Sequence, residues 1–118
     1  MKLSTDHHED VAIVRLSESR MMYPLLSEFS NAVTSLIAGG SRKVLIDMSA
    51  VGYVDSATIG CLMDLYRQMS AVNGALKLSG VQRRVETMLN MTGADKFIQI
   101  HHDEARAIES FGGTHAHN

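Results

Sequence analysis

The chain of 118 residues contains one cysteine, Cys61, and one proline, Pro24. A single thiol cannot close an intramolecular disulfide, which excludes a disulfide-stapled extracellular scaffold. No stretch is low in complexity, no internal repeat is visible, and no segment has the composition of a linker. Long apolar runs are missing as well: the longest extend only a few residues, far short of the roughly 20 needed to span a bilayer. Met1–Asp10 is polar and lacks the apolar centre of a secretory signal. A soluble cytoplasmic protein is therefore expected. Neither sign of charge dominates: 11 Lys and Arg against 13 Asp and Glu leave −2. That balance is not the footprint of a nucleic-acid coat or of an anionic-membrane binder.

What is present is enough apolar material, 45% of the residues, to build one core. A domain of this length buries roughly two-thirds of the surface its unfolded chain exposes. The spacing of apolar residues predicts a β-hairpin at the start, with a weak strand over Lys2–His8, a turn at Glu9-Asp10 and a β-branched strand over Val11–Leu16. A loop over Ser17–Met22 leads to a helix. Pro24 suits its first turn, and Leu26, Phe29, Val33, Leu36 and Ile37 recur at helical spacing before Gly39-Gly40. Lys43–Met48 is continuously apolar at its centre, as in an interior strand covered on both faces.

After a connection from Ser49 to Asp55, a second helix is expected near Ser56, with Ile59, Leu62, Met63, Tyr66 and Met69 as its apolar stripe and Asn73-Gly74 as its stop. A strand over Ala75–Gly80, a helix over Gln82–Met91 closed by Gly93, and a strand over Phe97–Ile100 follow. Asp103 then caps a final helix carrying Ala105, Ile108 and Phe111. The order β-β-α-β-α-β-α-β-α implies an α/β fold: a mixed, mostly parallel sheet flanked by helices, with one antiparallel pair at its start. One domain is expected over residues 1–111, with a flexible tail over residues 112–118.

In such sheets chemistry collects at the carboxyl ends of the strands, here Asp47 to Ser56. Ser56 stands at a predicted helix start, where a hydroxyl either accepts from a free backbone N–H or faces solvent as a chemical handle. The local residues alone favour the cap. No Gly-x-Ser-x-Gly elbow, Walker loop or dinucleotide fingerprint is present, and the histidines lie near the termini, so no enzyme activity is expected. His7-His8 and His101-His102 would make a metal site only if the first and last strands met. Adjacent strand residues point to opposite faces, so surface histidines and no metal are expected. His115 and His117 fall in the expected tail. Cys61 reads as a small buried hydrophobe, Arg83-Arg84 as a solvated face, and Met21-Met22 as an exposed, adaptable loop pair.

The stretch Asp47-Met48-Ser49, a short apolar spacer, then Asp55-Ser56-Ala57-Thr58-Ile59-Gly60 resembles the signature of STAS domains, specifically the anti-sigma factor antagonists. Leu76–Val81, Val85–Leu89 and Met91-Thr92-Gly93 continue the similarity, which covers about Met1 to Phe111. The resemblance implies a single STAS domain that is not an enzyme and needs no cofactor. It implies an anti-sigma factor of serine-kinase fold as partner, which phosphorylates the serine after the second aspartate, and a PP2C-type phosphatase that removes the phosphate. By position that serine is Ser56, with Thr58 as a second hydroxyl where the family usually has glycine. Asp55, Ser56, Ala57, Thr58 and Asp47 would form the binding surface. No direct nucleic-acid contact and no membrane insertion are implied. Two other roles stay open: a constitutive scaffold or transporter-associated STAS module, and a nucleotide-binding one using Arg83-Arg84 and the start of the second helix.

Overall fold

The computed structural model describes residues 2–112; the expected tail, with His115 and His117, lies outside them apart from Gly112. The apolar segments become β1 (Leu3–His8), β2 (Val11–Leu16), β4 (Lys43–Asp47), β6 (Ala75–Ser79) and β7 (Ile100–His101) of one five-stranded sheet, ordered β1-β2-β4-β6-β7. β1 and β2 pair antiparallel through the turn at Glu9, which takes φ 56°, and every other pairing is parallel. β4 is central, which is why Val44, Leu45 and Ile46 are all fully buried.

Helices cover both faces unequally. α1 (Leu26–Ala38), α2 (Ser56–Ala71) and α3 (Arg83–Thr92) lie on one side, where Phe29, Val33, Leu62, Leu65, Val85 and Leu89 meet Val14, Val44, Ile46 and Leu78. Among the described residues the other side carries only α4 (Glu104–Phe111), whose Ala107 and Phe111 pack on Val11, Ile13 and Leu45. Strand alternation explains the division, since Val44 and Ile46 share one face and Leu45 takes the other. Each such side chain, fully buried, contributes about 1.5–3 kcal/mol relative to exposure.

The order of elements and the interior position of β4 agree with the sequence expectation. The differences have local causes. The Ser17–Met22 loop and the Ser49–Asp55 connection each contain a two-residue strand, β3 (Arg20–Met21) and β5 (Tyr53–Val54), paired parallel to one another. Two residues are too few to show a period. Met21, expected on an exposed loop, is fully buried through this pairing, and Met22 is half-buried. Pro24 sits in a short 3₁₀ turn, Tyr23–Leu25, that precedes α1.

Ala94–Lys96 also forms a 3₁₀ turn, so β7 starts at Ile100 rather than at Phe97, which is 58% exposed. In α2 the buried stripe includes Leu65 and Thr58, while Met63 and Tyr66 are half-buried. In α4 it is Ala107 rather than Ala105 that faces the sheet. β1 and β7 occupy opposite edges of the sheet, so His7-His8 and His101-His102 are kept apart. His102 instead meets Glu86 at 2.9 Å. Among the described residues no helix is long and apolar enough to cross a membrane.

Candidate functional site

The carboxyl ends of β4 and β6 are joined to the start of α2 by a tightly bonded loop. Met48 donates its N–H to the Ser79 carbonyl at 2.9 Å, and Gln82 Nε2 donates to the Ser49 carbonyl at 2.9 Å. Gly80, at φ 68°, lies against Ser49 so closely that a Cβ would stand 2.9 Å from the Ser49 Cβ; only glycine combines that conformation with that approach. Gly52 and Tyr53 then donate to the Ser19 carbonyl, and Asp55 N–H reaches the Met21 carbonyl at 3.3 Å. The small β3–β5 pair thus holds Asp55 under Met21 before the helix begins.

Asp55, and not Ser56, is the cap of α2. Its Oδ1 accepts from the Thr58 N–H at 2.8 Å and from Thr58 Oγ1 at 2.6 Å, while Oδ2 accepts from the Tyr23 N–H at 3.0 Å. The bond from the Thr58 hydroxyl, with those from the Thr58 and Tyr23 N–H groups, outweighs desolvation and holds the Asp55 carboxyl below its ordinary value. With the cap supplied by its neighbour, Ser56 becomes the first residue of a 16-residue helix. It is exposed, and among the described residues its hydroxyl makes no hydrogen bond. Ala57 is exposed beside it.

Thr58 is placed quite differently. It is 1% exposed, and its hydroxyl proton is shared between Asp55 and the Met21 carbonyl at 2.8 Å. This threonine is turned inward as a structural bond and does not add a second hydroxyl to the surface. Asp47 also belongs to a separate arrangement. Its Oδ1 accepts from the Ser49 N–H at 3.0 Å and its Oδ2 from Arg15 Nη1 at 2.8 Å. Burial works to raise its carboxyl, but the bonds from Ser49 and Arg15 prevail and hold it below the ordinary value. Arg15 further bonds Glu104 at 2.6 Å and Asp6 at 2.6 Å, and these carboxylates raise its own protonation range. Through Arg15, Asp47 is tied to β1, β2 and α4, while Ser56 and Ala57 make the exposed edge beside the half-buried Asp55.

One residue at this edge escaped the sequence reading. Tyr23 is 73% exposed and its backbone is fastened to Asp55. The signal available was an aromatic residue beside the only proline, in a loop rather than a core pattern. Cys61 is half-buried, its thiol pushed up by burial and by Asp64. Arg83 and Arg84 are exposed at the opening of α3.

The STAS-domain family model matches residues 2–107. A Thermotoga neapolitana protein, provisionally named an anti-sigma factor antagonist, is 30% identical over 74 residues; the match spans 63% of this chain and 66% of that relative, just under two-thirds of its length. Among solved structures, an anti-sigma factor antagonist from Mycobacterium paratuberculosis superposes with a TM-score of 0.84 at 18% identity, covering 93% of this chain and 92% of that one. The Bacillus cell-fate determinant SpoIIAA in its phosphorylated form superposes with a TM-score of 0.72 at 14% identity, covering 92% of this chain and 98% of that one.

Proposed function

The chain belongs to the STAS-domain family, and on that premise we propose that it acts as an anti-sigma factor antagonist switched by phosphorylation of Ser56. The observation that carries the reading is the free Ser56 hydroxyl: exposed, unbonded, and held at the first position of α2 by a cap that another residue supplies. An acceptor needs a hydroxyl that a kinase can reach without dismantling the fold, and Ser56 meets that condition where the buried Thr58 does not. Asp55, Ser56, Ala57 and the exposed ring of Tyr23 form the docking edge. Tyr23 is the natural anchor, since tyrosine supplies large contact area with few rotamers to freeze.

The switch follows from electrostatics. A phosphate on Ser56 adds about −1.5 to −2 charges at neutral pH. Inside the domain the positive end of α2 tolerates it. Against a partner shaped for a neutral hydroxyl it brings repulsion and desolvation, increased by the Asp55 carboxylate one residue away. Binding would change while the backbone stays where it is. The partner in this reading is an anti-sigma factor of serine-kinase fold, and a PP2C-type phosphatase resets the switch. The domain itself does no chemistry.

The test uses such a kinase-fold anti-sigma factor with wild type, Ser56→Ala, Ser56→Asp and Thr58→Val, reading complex formation by calorimetry and phosphate position by mass spectrometry. Phosphate on wild type and Thr58→Val, none on Ser56→Ala, and binding weakened by on the order of 2–5 kcal/mol in Ser56→Asp is the expected pattern. Equal binding by wild type and Ser56→Asp, with no phosphate on any variant, would sink the switch and leave a constitutive binding module.

A further inference from the structure

The face of the sheet that α4 covers contains a cleft of about 270 Å³, lined by Arg42, Lys43, Asn73, Lys77, Ser110 and Phe111 among others. It lies at the opposite end of the strands from Ser56. Lys43 and Ala75 begin β4 and β6, whereas Asp47 and Ser79 end them, a separation of roughly 13 Å at 3.3 Å per residue.

Lys77 is the unusual member. It sits on an inner strand, only 8% exposed, and among the described residues no carboxylate pairs with it. Its Nζ donates to Ser110 Oγ at 2.8 Å and lies 4.6 Å from the centre of the Phe111 ring. An ammonium has three donors. The hydroxyl takes one and the ring face offsets part of the charge, which leaves donor capacity directed to the cleft it lines. Buried lysines are rarely left without a counter-ion. Lys43 is not a second free cation, because it pairs with Asp10 at 2.7 Å. Arg42 is one. Its Nη1 bonds the Ile37 and Ser41 carbonyls, and its remaining guanidinium donors are exposed. The carbonyl end of α4 borders the cleft, but a helix end carries only about half a unit of negative charge, less than the two cations.

The wall is also held rigidly. Gly74 packs so closely on Arg42 that a Cβ would stand 2.7 Å from the Arg42 carbonyl oxygen, and the Ala75 N–H donates to that same oxygen at 2.8 Å. The position of Arg42 relative to β6 is thereby set by backbone contacts.

We propose that this cleft is a binding site for a phosphate-class oxyanion, with Lys77 as the buried counter-charge, Arg42 as the second cation and Asn73 as a hydrogen-bond donor, while Ser110, whose proton goes to the Ala107 carbonyl at 2.7 Å, holds the Lys77 ammonium in place. A free phosphate ion and the phosphate of a small ester share this chemistry. The site is separate from the Ser56 edge and does not depend on the reading of that edge.

The experiment titrates the full chain with inorganic phosphate at constant ionic strength, following backbone amide shifts, and repeats it with glycerol phosphate. Saturable shifts at residues 73–77 and 110–111, with a Kd on the order of 1 mM or tighter, are expected. Tighter binding of the ester assigns the site to an organic phosphate, and equal binding assigns it to the free anion; both support it. Lys77→Met keeps the apolar stem and removes the charge. It should abolish the shifts without lowering the melting temperature, because an uncompensated buried charge is lost. Arg42→Gln should weaken binding about tenfold, whereas Arg83→Gln and Ser56→Ala should leave it unchanged. Should Lys77→Met not fold, Arg42→Gln decides by itself. No saturation in the wild type, equal response in wild type, Lys77→Met and Arg42→Gln, or shifts confined to the start of α2 would overturn the proposal.

Discussion

The Thr58 hydroxyl stands 2.6 Å from Asp55 Oδ1 and 2.8 Å from the Met21 carbonyl oxygen. One proton thus links the cap of α2 to the short strand before α1, and among the described residues Ser56, between Asp55 and Thr58 in the chain, takes no part in it. Replacing Thr58 by valine keeps the volume and removes that link. Thr58→Val should cost about 1–3 kcal/mol, the usual penalty for stripping a buried bond from its partners. It should also raise the Asp55 carboxyl toward its ordinary value, because the bond that contributes most to depressing it is gone. Chemical denaturation and an NMR titration of Asp55 measure the two effects. No change in either would show that Thr58 does not hold the cap.

Asp55 and Asp47 both have carboxyls depressed in the folded state. The stability such a group contributes is fully present above its unfolded value, 3.8 for aspartate, and is lost as the pH falls through its lower folded value. Wild-type stability should therefore decline below about pH 4. Asp55→Asn should be less stable at neutral pH, by about 1 kcal/mol, because an amide NH2 takes the place of the Oδ2 that accepts from the Tyr23 N–H. Its acid decline should be shallower, since one group that binds a proton on unfolding has been removed. Urea midpoints measured from neutral pH down to about 3 test the slope; parallel curves for the two proteins would exclude Asp55 as a source of acid lability.

Leu45 faces α4 and not α2, which changes what its truncation should couple to. Leu45→Ala should cost roughly 2–5 kcal/mol. Combined with Phe111→Ala it should depart from additivity, as neighbours in one cluster do, while combined with Leu62→Ala on the other face it should add within about 0.5 kcal/mol. A double-mutant cycle with coupling to Leu62 alone would contradict the assignment of faces.

Ser79 Oγ is buried and, among the described residues, has no hydrogen-bond partner. The fold therefore carries the desolvation of a hydroxyl without the compensating bond. Ser79→Ala should leave stability within about 0.5 kcal/mol of wild type or raise it. A loss of more than about 1 kcal/mol in the denaturation free energy would mean that the hydroxyl is bonded in solution.

Sequence by itself settled the longer elements. Val11–Leu16 and Lys43–Asp47 are short, continuously apolar runs and the helices repeat an apolar period, and runs and periods in that order admit little besides a mostly parallel sheet with helices on it. The Asp47-to-Gly60 stretch likewise drew attention to Ser56, which the structure places, exposed, at the start of α2. Tertiary structure decided what depends on pairs distant in sequence. The two-residue strands β3 and β5 exist only because they pair with each other. Asp55 becomes the cap, and Thr58 an interior bond, only because that pairing brings the Met21 carbonyl and the Tyr23 N–H to them across more than thirty residues. The same holds for Lys77. One lysine inside an apolar strand says nothing of its surroundings until α4 folds over it and places Ser110 and Phe111 at its end. Hydrogen bonds and charges act over a few ångströms of space, and the chain reports only the order in which its groups are joined.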